Sequence, residues 1–176
     1  YGGAELFVLP FEIPQDENPG YYNFTVYVKL ASTGIKVETL ELSVKVEYYA
    51  DFTISMASDQ STGDPGFTHE FAVTIVNNAN AAEEISFVFE DIPSDWSYCI
   101  LFNGNCLNTL NIAKGASSSF TLEVTSPDYE PANVAGSYYT MIAKSSLNNK
   151  FEVHYDFKII TNPTYVFSVE TPSDTK

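Results

Sequence analysis

The sequence predicts an all-β protein made of antiparallel β-sandwiches in tandem. Three observations predict it. Nearly every segment alternates apolar and polar residues with period two and is rich in Val, Ile, Phe, Tyr and Thr. Turn clusters such as Gly63-Asp64-Pro65-Gly66, Asn77-Asn78-Ala79-Asn80 and Ala113-Lys114-Gly115 punctuate the runs at roughly ten-residue spacing, the rhythm of a sandwich. Residues 2–56 also read as a second copy of residues 115–169, at an offset of 113 residues. The offset maps Gly2 on Gly115, Pro14 on Pro127, Glu17 on Glu130, Ser32 on Ser145, Lys45 on Lys158 and Ser55 on Ser168. A period that long is a whole domain, so the array is an array of domains.

The elements follow in order. Residues 1–50 are expected to be the C-terminal half of one domain. Their three strands carry Phe7/Leu9/Phe11, Phe24/Val26/Val28 and Leu40/Leu42/Val44/Val46 on one apolar face. Residues 51–162 are expected to form a complete domain. Its first strand lies near 51–57, with Phe52, Ile54 and Met56 inward. The second spans 67–77, with Phe71, Val73 and Ile75 inward, and the third 84–90, with Ile85, Phe87 and Phe89 inward. A hairpin follows at 98–103 and 106–112, turning on Asn103-Gly104, a strong two-residue turn signal. Strands at 118–125, 137–145 and 150–160 complete the set. Residues 163–176 are expected to open a further domain. No amphipathic helix of useful length is present. The joints, 44–54 and 159–165, hold no Gly/Ser-rich linker and predict domains stacked end to end in a stiff rod.

Composition narrows the function classes. The chain has 23 acidic and 8 basic residues, a net charge of −15, and every basic residue is Lys. The absence of Arg, the preferred fork for phosphate, argues against nucleic acid as a partner, and the acidic surface would be repelled by an anionic membrane, so no direct membrane insertion of this segment is expected. No apolar run is long enough to span a bilayer, and the chain opens on Tyr without a signal peptide, which for a secreted protein implies processing or excision. Cys99 and Cys106 flank the Asn103-Gly104 turn, which folds them toward each other. A disulfide there implies an oxidising, extracellular compartment. Asn23-Phe24-Thr25 is the glycosylation sequon. Asn23 faces solvent if Phe24, Val26 and Val28 face the core.

Residues 71–145 carry a distinctive order of features. Val73-Thr74-Ile75-Val76-Asn77-Asn78 comes first, then Ile92-Pro93-Ser94-Asp95-Trp96 and Leu110-Asn111-Ile112-Ala113-Lys114-Gly115. Phe120-Thr121-Leu122-Glu123-Val124 and Pro127 follow, and the series closes on Ala135-Gly136-Ser137-Tyr138-Tyr139 and Ala143-Lys144-Ser145. This order resembles the immunoglobulin-like (Ig-like) domains of archaeal and bacterial cell-surface proteins, including the NPCBM-associated type attached to secreted glycosidases. Ala79-Asn80 and Ala113-Lys114 depart from the glycine and proline usual at those places. The resemblance implies tandem Ig-like sandwiches serving as spacers in surface layers, stalks or filaments, with neighbouring copies of the same domain as partners. Some pilin Ig-like domains carry a buried Lys–Asn crosslink, but Lys29, Lys45, Lys144 and Lys158 all fall on outward positions here.

No catalytic constellation is legible. The only histidines, His69 and His154, are expected on exposed strand positions, and no nucleophile accompanies them. Adjacent carboxylates such as Glu83-Glu84 and Glu90-Asp91 point to opposite faces of a strand. The best metal candidate is the loop from Asp59 to Gly66, where Asp59, Asp64 and backbone carbonyls offer hard oxygen ligands to calcium. The reading is therefore a non-enzymatic, rigid extracellular spacer. The alternative is an accessory or carbohydrate-binding module of a secreted hydrolase or adhesin. Such a module needs an exposed aromatic platform, whereas the single Trp, Trp96, is expected to plug the core.

Overall fold

The computed structural model describes residue 6 and residues 8–164. All regular elements among them are strands. Two strands, β1 (Gly20–Lys29) and β2 (Lys36–Val46), form a separate antiparallel hairpin. Its register pairs Tyr22 with Val44, Phe24 with Leu42 and Val26 with Leu40, so the apolar residues of both strands share one face. Among the described residues no second sheet covers that face: Phe24 is 38% and Leu40 41% exposed, and the irregular segment at 11–14 touches one end of it, with the Phe11 ring 5.2 Å from that of Phe24. The third strand expected at 7–11 is not formed at residues 8–13, which are irregular and exposed, and Phe7 lies outside the described residues. Alternation supplies an apolar face, but a strand also needs a paired neighbour, and none is offered there.

The sandwich begins at β3 (Phe52–Met56) and β4 (Gln60–Gly63), continues through β5 (Thr68–Asn77), β6 (Glu83–Glu90), β7 (Ser97–Phe102), β8 (Asn105–Leu107) and β9 (Thr109–Ile112), and ends with β10 (Ser117–Thr125), β11 (Asn133–Ser145) and β12 (Glu152–Thr161). One sheet has the order β3-β5-β10-β7-β8, the other β4-β12-β11-β6-β9. The fold is an Ig-like antiparallel β-sandwich. The first strand is split between the sheets: β3 pairs antiparallel with β5, and β4 crosses over to pair parallel with β12. The second arm of the cysteine hairpin is split too. β8 stays beside β7, while β9 joins β6 in the opposite sheet.

The core lies between the sheets and within residues 52–159. Phe52, Phe71, Ile75, Ile85, Leu122, Met141 and Phe157 are all buried. Each such side chain contributes about 1.5–3 kcal/mol by burial. Trp96 also enters this core beside Tyr139, and its Nε1–H donates to Glu130 Oε2 at 2.8 Å. The Asn103-Gly104 turn has positive φ at both residues, 51° and 78°, the primed geometry that suits the twist of the flanking strands. Gly136 sits in a bulge of β11 with φ of 75°. A Cβ there would meet Ile160 Cγ1 at 2.8 Å and the Ile159 carbonyl at 3.0 Å.

The hairpin and the last two strands of the sandwich share one register. Tyr22↔Val44, Phe24↔Leu42, Val26↔Leu40 and Val28↔Glu38 lie 115 residues before Ser137↔Ile159, Tyr139↔Phe157, Met141↔Tyr155 and Ala143↔Val153. The turns that precede them match at 113: Glu17 N–H donates to the Pro14 carbonyl at 3.0 Å, and Glu130 N–H to the Pro127 carbonyl at 3.0 Å. The difference falls on the Gly136 bulge, where four steps of β11, Asn133 to Ser137, span two of β12, Thr161 to Ile159. With one offset applied to both strands the registers match at 115, against 113 for the turns. Both offsets are odd, so the inward face is unchanged.

Candidate functional site

Polar groups converge where the hairpin meets the sandwich. The connection, residues 47–51, runs across the end that holds the β5–β6 loop, the β9–β10 turn and the β11–β12 loop. Asn80, fully buried, grips its backbone from both sides: Nδ2 donates to the Glu47 carbonyl at 2.9 Å, and Oδ1 accepts from Tyr49 N–H at 3.1 Å. Asn78 N–H donates to the Asp51 carbonyl at 2.9 Å. Asn77, also fully buried, organises the loop beneath. Its Nδ2 donates to the carbonyls of Ala81 and Ile112 at 3.0 and 2.9 Å, and its Oδ1 accepts from Ala79 N–H at 2.9 Å.

Glu83 is a buried carboxylate, and none of the ion pairs among the described residues involves it. Hydroxyls satisfy it instead. Tyr48 donates to Oε1, and Ser145 Oγ donates to Oε2 at 2.8 Å. Burial, then the bond to Glu83, pushes the Tyr48 phenol up to about 12, so the linker tyrosine keeps its proton. On the other side, Lys114 Nζ donates to the Asp16 carbonyl and to Asn18 Oδ1, the latter at 2.9 Å. The Tyr49 hydroxyl lies 3.2 Å from the carbonyls of Gln15 and Asn78. A cleft lined by Gln15, Asp16, Tyr49, Asn78 and Lys114 runs along this seam.

The residues singled out in the sequence scatter away from this joint. Asn23 is exposed on the outer face of β1. Cys99 and Cys106 are joined in a disulfide with Cα atoms 5.4 Å apart, in the β7–β8 hairpin. Asp59 and Asp64 lie toward the opposite end. The Asp59 backbone carbonyl accepts from Lys158 N–H, and Asp64 Oδ1 accepts from Asn162 Nδ2 at 2.9 Å. No group of three or more His, Cys, Asp or Glu side chains is arranged to hold a metal among the described residues. The segment expected to be only a loop there contains β4.

His154 is exposed beside Glu152, and the bonds from His154 and then Lys144 lower that carboxyl. His69 corrects the expectation of an exposed strand residue. It is fully buried, its Nδ1 is 3.0 Å from Ser61 Oγ, and its Nε2 has no partner. Burial lowers its pKa. The alternation that turns Phe71, Val73 and Ile75 inward runs back through His69, and the one through Ile85 runs back to Glu83. Position outweighed residue type at both places. No sequence signal marked Asn80 or Lys114, whose partners are more than 30 residues away.

No protein-family model matches the sequence, and no curated protein does. Among solved structures, the chain is similar to a FixG-related protein from Vibrio parahaemolyticus, with TM-score 0.47, 12% identity and coverage of 64% of this chain and 95% of that one. It is also similar to a family 123 glycoside hydrolase from Clostridium perfringens, with TM-score 0.45, 12% identity and coverage of 66% of this chain and 28% of that one. A third likeness is to domains 4 and 5 of the S-layer protein SbsC, with TM-score 0.38, 18% identity and coverage of 82% of this chain and 66% of that one. These are likenesses of overall shape.

Proposed function

We propose that the chain is a run of tandem Ig-like domains of the archaeal and bacterial cell-surface, NPCBM-associated type, working as a rigid spacer in an extracellular layer, stalk or filament. Residues 1–50 are the C-terminal half of one domain, 51–162 a complete domain and 163–176 the start of another. The observation that carries this reading is the shared register of β1–β2 and β11–β12. In the sandwich, the inner face of β11–β12 is covered by the sheet of β3, β5, β10 and β7. The same face of β1–β2 has no facing sheet among the described residues, which is what a final hairpin without its partner sheet looks like. The gripped linker supports stiffness, and the disulfide supports an oxidising exterior. Trp96 is buried in the core, so it offers no platform to a carbohydrate; the exposed aromatics of the strands include the tyrosines Tyr21, Tyr27 and Tyr138. Asn23, outward on β1, is open to a glycan. The Asp59–Asp64 loop lies beside Asn162, where a calcium ion would bridge two acidic domains.

Small-angle scattering from two copies of residues 50–164 in series tests the spacer. One interdomain orientation should account for the curve. A curve that only a broad range of angles can fit would defeat the rod. Repeating it in calcium and then chelator tests the bridge, which a change of angle or maximum dimension supports and an unchanged curve defeats.

A further inference from the structure

The contact between the turn at 14–18 and the β9–β10 turn is made by chain regions almost a hundred residues apart, and its centre is one lysine. Eight lysines serve this acidic chain, and the others that contact side chains do so on strand surfaces: Lys36, Lys45 and Lys158 over tyrosine rings, Lys144 against Glu152. Lys114 instead reaches out of the sandwich to a backbone carbonyl and an amide oxygen of the hairpin segment. The acceptor turn bears Asp16 and Glu17, so the cation enters a locally acidic edge.

The acceptor turn has a twin. Pro14–Glu17 and Pro127–Glu130 close with the same N–H to carbonyl bond, and each leads into the first strand of a hairpin of the same register. In the twin, the Tyr129 carbonyl stands where the Asp16 carbonyl stands. Pro131 replaces Asn18, and Asp128 brings a carboxylate to the edge. This second turn lies at the end of the sandwich opposite Lys114, beside Gly66 and near Asn162. Tyr129 there is 73% exposed and Asp128 is exposed.

We propose that the Pro127–Pro131 turn is a docking edge for a following domain of this same type, which seats on it by a lysine at the place of Lys114, as Lys114 seats on Gln15–Asn18. The proposal rests on the tandem reading and gives it a residue. The gripped linker then gains a lateral stop off its own axis. A short linker alone leaves a hinge; a second contact off its axis removes the hinge.

The first test uses the full chain, with spin labels at Ser43→Cys and Asn111→Cys, diluted with unlabelled protein, and pulsed dipolar distance measurement. Both sites are exposed, and the native cysteines are held in their disulfide. The expected result is a narrow distribution that broadens or shifts in Lys114→Ala and Lys114→Glu. It should stay narrow in Lys114→Arg, which donates to the same oxygens, and in the control Lys150→Ala. A distribution broad already in the parent chain would overturn the rod together with the seat. One that is narrow in every variant would overturn the seat and leave the rod standing.

The second test uses the serial pair of residues 50–164, whose sandwich contains its whole core. Lys114→Ala in the second copy should broaden the range of interdomain angles seen by scattering. The same change in the first copy, which has no turn before it, should not. Equal behaviour of the two would overturn the docking edge at Pro127–Pro131.

Discussion

Asn77 is the side chain whose loss the fold should feel most per atom removed. It is fully buried at the end of β5 and makes good bonds to Ala79 N–H and to the carbonyls of Ala81 and Ile112, with Ala113 O at 3.3 Å. In Asn77→Ala, three firm bonds vanish at about 0.5–1.5 kcal/mol each, and the buried Ala79 N–H is left without an acceptor, so the total is about 2–4 kcal/mol. Asn77→Asp separates two accounts of that number. The carboxylate still accepts from Ala79 N–H, so a loss due only to that donor would be largely restored. It also points an oxygen at the carbonyls Nδ2 now serves and buries a charge without a cation. On the geometry here, the Asp variant is the less stable of the two at neutral pH and recovers part of the loss below the ordinary carboxylate range, where the acid again carries a donor. Urea denaturation followed by Trp96 fluorescence reads both, since Trp96 is the only Trp and is buried. An Ala variant within about 1 kcal/mol of the parent, or an Asp variant milder than Ala at neutral pH, would refute the reasoning.

Intact mass with and without reductant should differ by the thiol hydrogens of Cys99 and Cys106, and reduction should cost about 2–3 kcal/mol, as expected for so short a loop; free alkylation of the native protein would contradict it. His69 is held below its ordinary pKa of 6.5 by burial, so the unfolded chain takes up its proton first as pH falls. Stability from this group is complete above about pH 6.5 and declines below it, and His69→Gln should flatten that part of a urea-midpoint against pH profile; an unchanged slope would place the effect elsewhere. A peptide of residues 1–50 should not melt cooperatively as a monomer, because an isolated hairpin whose apolar face has no facing sheet is marginal in water. Sedimentation with circular dichroism checks this, and a cooperative monomer would end the half-domain reading.

Much of the sandwich was legible because its strands bury one face, and that leaves period two in the sequence. Phe52/Ile54/Met56, Phe71/Val73/Ile75 and Ile85/Phe87/Phe89 all turn inward as read. The crossings between sheets were not legible. β4 leaves β3 for the other sheet, and β9 leaves β8, within stretches too short to show a period. The buried polar residues were hidden for a different reason. His69 and Glu83 sit on inward positions of strands whose alternation was already recognised, and only the habit of placing ionisable groups outside hid them. The joint was invisible because its chemistry is long-range: Asn80 reads residues 47 and 49, and Lys114 reads residues 16 and 18.

Glu83 shows why the linker and the sandwich belong to one cooperative unit. A buried carboxylate without donors would cost several kcal/mol. Ser145 satisfies one oxygen from within the sandwich, and Tyr48 satisfies the other from the linker. Lifting the linker off would expose that oxygen or strand it, so the joint resists opening for the same reason that the domain end resists unfolding. At the opposite end the corresponding residues differ. By the 115-residue register Pro163 stands where Tyr48 stands, and Asn162, in the place of Glu47, bonds back to its own domain at the Gly63 carbonyl and Asp64. The linker is thus held to the entry end of the sandwich by an acid–phenol pair, and the end of β12 is held to its own sandwich by an amide.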